Sequence, residues 1–252
     1  MRRAVAVALL IGLLAGCRSG PAPSADLSRG APPAAADPAA ADPAAADPDA
    51  APPAAALPDP RLAEADGAGQ AIVVTAAAYG ASTATLTAYQ RQGAGWRPVF
   101  GPWAARIGRA GFAPPGEKRE GDGRTPSGAY GFDFFFGVAP DPGVRFEYRP
   151  APDDTIIWDE DPASPTYNLW VDLDDYGGGH DPAGMYQPVA YQHGAVIAYN
   201  AARTPGLGSG IFLHATTGRA TAGCVALPVD QLRSVLLWLD PARQPRIALG
   251  MG

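Results

Sequence analysis

Apolar and polar positions divide the chain into three stretches of different character. Residues 4–14 form an unbroken apolar run behind Arg2 and Arg3. From Arg18 to about Gly69 no period survives: the residues are Ala, Pro and Asp with little else, and Ala34–Pro48 is three copies of AAADP. From Gln70 onward, short β-branched or alternating runs are broken by Gly and Pro turn signals. Ala71–Thr75 and Thr85–Tyr89 predict strands, Gln92–Gly95 a hairpin turn, and Trp96–Trp103 a returning strand. Ala129–Phe136 predicts one strand, with Phe132, Phe134, Phe135 and Phe136 feeding the core. His193–Asn200, Ile211–Leu213, Val225–Leu227 and Arg246–Leu249 predict four more. Leu232, Val235, Leu236 and Leu239 recur at helical spacing, with Pro228 suited to a first turn and Asp240-Pro241 ending the helix. The expected fold class is mostly β: a β-rich or β-sandwich domain over residues 70–252 with one or two helices.

Composition changes the picture at the N-terminal end. The 252 residues suit one or two domains, and the formal charge of -6 with no Lys/Arg-rich run excludes nucleic acid as a partner. Residues 17–69 hold too little apolar surface to fold, their regular prolines stop any long helix and their carboxylates repel, so a disordered, extended tether is expected. The run at residues 4–14 is shorter than the roughly 20 residues a bilayer span needs, and with its two arginines it reads as an export signal over residues 1–16. Leu14-Ala15-Gly16-Cys17 resembles the lipobox of bacterial lipoproteins. The resemblance implies cleavage before Cys17, lipid on its sulfur and new N-terminus, and an extracytoplasmic protein anchored to the cell membrane, since several acyl chains hold where one does not. Cys17 and Cys224 are the two cysteines, and each has a role of its own, so no disulfide between them is expected.

Candidate chemistry concentrates in GIFLHATTGRATAGCVAL, residues 210–227. A strand carries His214 to its end, a polar loop follows, and Cys224 opens the next apolar run. A cysteine attacks as thiolate, scarce at neutral pH when its pKa is about 8.5, and a nearby imidazole can take the proton. Gly223 leaves room for a substrate carbonyl, and the N–H groups of Gly223 and Cys224 are candidates to stabilise an oxyanion. Rival chemistries fail on residue identity. GDGRTPSG, residues 121–128, lacks the GxxxxGK[ST] phosphate loop and reads as a tight connection. The acidic loop 172–181 lacks the terminal Glu of a calcium loop and reads as solvated. His180, His193 and His214 show no close zinc-ligand spacing, although convergence in space stays open. The lone lysine, Lys118, has Pro115 three places before it, which removes the Ser-x-x-Lys route, and no GxSxG occurs. Cys224 with His214 is left, against the alternative of an inert buried cysteine.

On these residues the domain resembles the L,D-transpeptidase catalytic domain, the YkuD family. His214 matches the family's first His, and Thr221-Ala222-Gly223-Cys224-Val225 matches the [S/T]-H-G-C nucleophile motif with Ala222 in place of its second His. A branch with TAGCVAL as its signature shares that change and the short His-to-Cys loop. GDGRTPSG, the Trp158…Asn168 segment and GSGIFLH are also familiar from it, so the resemblance covers about Ile72–Leu249. It implies Cys224 as nucleophile, His214 as proton donor and acceptor, the Ala215 backbone carbonyl as orienter of His214, and Gly223 as an oxyanion N–H. Arg219 could hold a peptide carboxylate, and His193 and Asn200, on the strand before the site, are further substrate-binding candidates. The implied activity is peptidoglycan L,D-transpeptidation on stem tetrapeptides through a cysteine acyl-enzyme, ending in 3→3 cross-links or in carboxypeptidase action. Neither metal nor organic cofactor is required, and carbapenem-type inhibitors are expected to acylate Cys224. The alternatives are a peptidoglycan-binding module that has lost the chemistry and an enzyme that attaches proteins to peptidoglycan.

Overall fold

The computed structural model describes residues 58–179 and 182–252. The export segment, Cys17, the tether as far as residue 57, His180 and Asp181 lie outside the described residues. Among those described, the domain is mostly β. Its strands are β1 (Gln70–Ala76), β2 (Thr83–Gln92), β3 (Gly95–Arg106), β4 (Gly128–Tyr130), β5 (Phe132–Gly137), β6 (Tyr148–Pro150), β7 (Ile156–Trp158), β8 (Trp170–Asp172), β9 (Ala183–Gly184), β10 (Gly194–Ile197), β11 (Phe212–Ala215), β12 (Val225–Leu227) and β13 (Arg246–Met251). One α-helix, α1 (Val229–Trp238), lies between β12 and β13.

Ten strands form one sheet in the order β4-β13-β1-β2-β3-β12-β11-β10-β5-β6. Only Gly131 separates β4 from β5, yet they sit near opposite ends of that order. The sheet must therefore curl until its ends approach, and Ala198 N–H donating to the Gly131 carbonyl at 3.0 Å spans the gap. This is why the strand expected over Ala129–Phe136 is two strands: its halves pair with β13 on one side and β10 on the other.

Inside the curl, Ile72, Val74, Leu86, Phe135, Leu213, Val225, Leu227, Ile247 and Leu249 pack with Leu232, Val235, Leu236 and Leu239 of the helix and its end. The helical spacing read from the sequence is the spacing of that buried stripe. Strand β2 alternates, burying Ala84, Leu86 and Ala88 while Thr83 and Thr85 face out. Strand β1 is buried on both faces, because a 3₁₀ turn over Pro60–Ala65 covers the second one: Leu62, Ala65 and Ala68 pack against Ala71, Val73 and Ala248. The folded segment thus begins before Gln70, the boundary expected from composition. Arg61 fastens the turn by donating from Nε to the Met251 carbonyl at 2.7 Å and from Nη1 to the Leu249 carbonyl at 3.1 Å. Alanine-rich sequence hid this cover, since only Leu62 in it is bulky.

A second, three-stranded sheet, β8-β7-β9, packs on the outer face of β5, β10 and β11. Its Trp158 meets Phe212 edge-on at 5.0 Å between ring centroids, and Trp170 meets Phe134 likewise at 5.6 Å. Together with Phe136, Met185 and Val196 they form a separate aromatic cluster that includes Cys224.

Candidate active site

Strands β11 and β12 run parallel, with Leu213 opposite Val225, His214 opposite Ala226 and Ala215 opposite Leu227. Side chains alternate along a strand, so Leu213, Ala215, Val225 and Leu227 enter the inner core, as observed. Phe212 and His214 then share the opposite face with Ala226 and Cys224. His214 and Cys224 are diagonal neighbours on that face. A strand spacing of about 4.8 Å and a rise of about 3.3 Å per residue put their Cα atoms roughly 8 Å apart, within reach of two converging side chains. The parallel arrangement holds although the linking loop contains no helix. The loop runs out to the end of β3, where Thr221 N–H donates to the Ile107 carbonyl at 2.9 Å and Arg109 N–H to the Thr221 carbonyl at 2.8 Å.

His214 is 7% exposed, and its Nδ1 lies 2.8 Å from the Ala215 carbonyl. A carbonyl only accepts, so Nδ1 carries the hydrogen and Nε2 keeps its lone pair. Burial lowers the pKa of His214, against the opposing pull of the Ala215 and Ala190 carbonyls. Tyr191 stands edge-on to the imidazole, 5.3 Å between ring centroids, and fixes the ring from the side. Cys224 is 7% exposed as well. Its Sγ accepts from Phe212 N–H at 3.4 Å and donates to the Gly210 carbonyl at 3.3 Å. Burial is the main cause that pushes the thiol up to about 12; Glu160 adds to the rise, and Phe212 N–H and Lys118 oppose it. At neutral pH the raised thiol and the lowered imidazole both favour the uncharged form, so the face shared by Cys224 and His214 holds a thiol and a neutral imidazole.

The Cys224 carbonyl is pinned twice, by Thr221 Oγ1 at 2.7 Å and Thr125 Oγ1 at 3.4 Å. Thr125 belongs to GDGRTPSG, which the structure brings directly under Cys224. It also explains Gly223. A Cβ there would lie 2.9 Å from the Arg124 carbonyl and 3.1 Å from Ile211 Cδ1. The glycine is thus required by the supporting loop, which takes the space a Cβ would fill, while its backbone lines the cavity beside Cys224. Its N–H donates to Thr221 Oγ1 at 3.2 Å, so a role in an oxyanion site requires that bond to be given up.

Asn168 supports the other side. Its Oδ1 accepts from Gly210 N–H and from Trp158 Nε1, each at 3.1 Å, while Nδ2 donates to the Asn200 carbonyl at 3.1 Å and the Tyr199 carbonyl at 3.3 Å. The side chain of the small sheet's Trp158 and the Gly210 backbone that holds the thiol are thereby joined through one buried amide.

The chain matches the family model for the L,D-transpeptidase catalytic domain, YkuD, over residues 70–247. It is a YkuD domain. Comparison with curated proteins and with solved structures returned no match. The domain carries with it an L,D-transpeptidase-type, cell-wall function and binding of peptidoglycan.

In this YkuD domain Cys224, Gly223 and Ala222 line a cavity of about 120 Å³ with Lys118, Glu120, Glu160 and Tyr191. Ala222 sets a methyl at the wall where the family motif has its second His. The three substrate-binding candidates fall elsewhere. His193 follows the alternation of Ala195 and Ile197 toward the inner core; its Nδ1 meets the Tyr148 hydroxyl at 3.0 Å, and burial followed by the Arg233 charge lowers its pKa. Asn200, with φ of 49°, ties its own turn by donating to the Thr204 and Gly208 carbonyls. Arg219 is exposed on the loop between the strands. The sequence reading missed Tyr191, Glu160, Thr125 and Asn168 as parts of the site, and it used Lys118 only to exclude serine chemistry. The segments that carry Thr125 and Asn168 were singled out by resemblance, but no spacing rule connects residues so far apart in sequence.

Proposed function

We propose that the domain is a peptidoglycan L,D-transpeptidase of the TAGC type that works through an acyl-enzyme at Cys224. The observation that carries the reading is the tautomer of His214: with Nδ1–H engaged by Ala215, a basic Nε2 is left on the face shared with the thiol. The thiol proton passes from the Gly210 carbonyl to Nε2 as the sulfur attacks the carbonyl carbon of an L-centre in a stem tetrapeptide. The C–N bond to the terminal D-residue breaks, and the imidazolium returns its proton to the leaving amine. The thioester is then taken by an amine of a neighbouring stem, giving a 3→3 cross-link, or by water. Lipidation of Cys17 holds the enzyme at the outer side of the cell membrane; Cys17→Ala releases it from the membrane fraction if this is so.

The test of the chemistry is mass spectrometry of purified tetrapeptide muropeptides after incubation with the protein and with its Cys224→Ala variant. The expected outcome is loss of a terminal D-residue, with or without a dimer, in the wild type alone, and a covalent carbapenem adduct on Cys224. The deep burial of Cys224 and its raised thiol pKa favour a second reading, a peptidoglycan-binding module without turnover. Unchanged muropeptides, no adduct, and equal wall binding by both proteins would select it.

A further inference from the structure

Lys118 is the only lysine in the chain, and it is 5% exposed. Lysine is almost never buried so deeply without a specific engagement. Its Nζ donates to the Arg119 carbonyl at 2.6 Å and to Asp122 Oδ1 at 2.7 Å, which leaves one of its three N–H bonds for a further acceptor. The same side chain lines the cavity of about 120 Å³ that contains Cys224. Two carboxylates, Glu120 and Glu160, line it too, with Glu120 bonded by the Tyr167 hydroxyl. Lys118 is the one cation in that lining, whereas Arg219 is exposed on the loop outside it.

These charges sort an incoming peptide. A carboxylate is repelled by Glu120 and Glu160 and has a single place to bind, at Nζ. The volume limits what carries it: a cavity of about 150 Å³ admits benzene, with its six heavy atoms, so the slightly smaller space beside Cys224 suits a residue the size of alanine. We infer that Lys118 Nζ binds the free carboxylate of the small residue that leaves from the donor peptide, and so makes the site selective for a scissile bond one residue from the chain end. The inference rests on the acyl-transfer reading above and adds to it the group that recognises the leaving side.

The experiment compares two donor peptides, one ending in D-alanine and one in D-alaninamide, with the wild type, Lys118→Met, Lys118→Gln and Arg219→Ala. A charge-assisted hydrogen bond predicts that the wild type prefers the free carboxylate by about 10- to 100-fold in kcat/KM. Lys118→Met brings the two donors close to equality by slowing the carboxylate donor, and Lys118→Gln, which keeps a hydrogen bond to Asp122, does the same if the methionine variant does not fold. A lysine that only staples its loop slows both donors alike and leaves their ratio intact, which overturns the inference. Equal wild-type rates on the two donors overturn it as well, as does loss of the preference in Arg219→Ala with retention in the Lys118 variants. Turnover without preference leaves the acyl-transfer reading standing; turnover of neither donor removes both.

Discussion

The two ends of the large sheet are built differently. At one end, β1 pairs with β13 along Ala71–Ala76 and with β2 along Gln70–Thr75, with aliphatic side chains buried on both sides of β1. At the other, β10, β11 and β12 pair over short stretches, and individual polar side chains do the holding: Thr221 and Thr125 on the Cys224 carbonyl, Asn168 on Gly210 N–H. Long ladders and packing supply stability but place no single atom; a hydrogen bond of the pinning kind contributes about 1 kcal/mol and fixes where one carbonyl points. The domain keeps its stability in the first end and its positioning in the second.

That division can be broken from either side. The largest effect is expected at His214: His214→Gln, which removes the proposed base, should lower the rate of acyl-enzyme formation about 1000-fold, followed by intact-protein mass spectrometry, with little change in melting temperature. The converse change, Leu86→Ala, empties part of the inner core and costs about 3 kcal/mol, a fall of roughly 6–12 °C in Tm for a domain of this size, while turnover per folded molecule stays near wild type. Asn168→Ala lies between the two, since it loosens Gly210 and also strips Trp158 of its acceptor. Its kcat should fall about 10-fold with KM nearly unchanged, since a carbonyl displaced by a fraction of an ångström misplaces the sulfur more than the substrate.

The smallest effects are on pH. The buried imidazole of His214 has a folded pKa below its usual 6.5, so the unfolded chain binds the proton more readily. Its contribution to stability is present above pH 6.5 and is lost as pH falls through the folded value. The acid limb of kcat/KM should therefore lie below pH 6.5. Cys224 has the opposite sign: its folded pKa is raised from 9.0 to about 12, so the stability it contributes is present below pH 9 and lost as pH rises toward 12. Denaturant titrations of wild type and Cys224→Ala across both windows check these signs.

The same two ends differ in how far the sequence exposes them. Alternation in Thr85–Tyr89, the Gly93 hairpin and the leucine spacing of α1 are local patterns; they locate the middle of β2, which runs on to Thr83 and Gln92, and define the turn to β3 and the helix almost residue by residue. Cys224 and His214 could be read because they lie within one short stretch; the Ala215 carbonyl came only from the family resemblance, and the structure puts Nδ1 of His214 against it. Lys118 and Thr125 from the β3–β4 connection, Asn168 from the β7–β8 loop and Tyr191 from the β9–β10 loop come together only in the curled sheet. The division of Ala129–Phe136 at Gly131 was hidden for the same reason, because nothing local says that its halves pair on different sides of the curl. Gly223 has a further reason that no local pattern shows: a Cβ there would meet the Arg124 carbonyl, remote in sequence.

The cradle of Phe212 N–H and the Gly210 carbonyl around Cys224 also bears on chemical durability. Peroxides and disulfides react with thiolates, and exposed thiolates climb readily to sulfenic and then irreversible acids. Burial pushes the thiol up to about 12, so the thiolate is scarce at neutral pH. The resting sulfur is therefore held mainly as a thiol, the form least open to small oxidants.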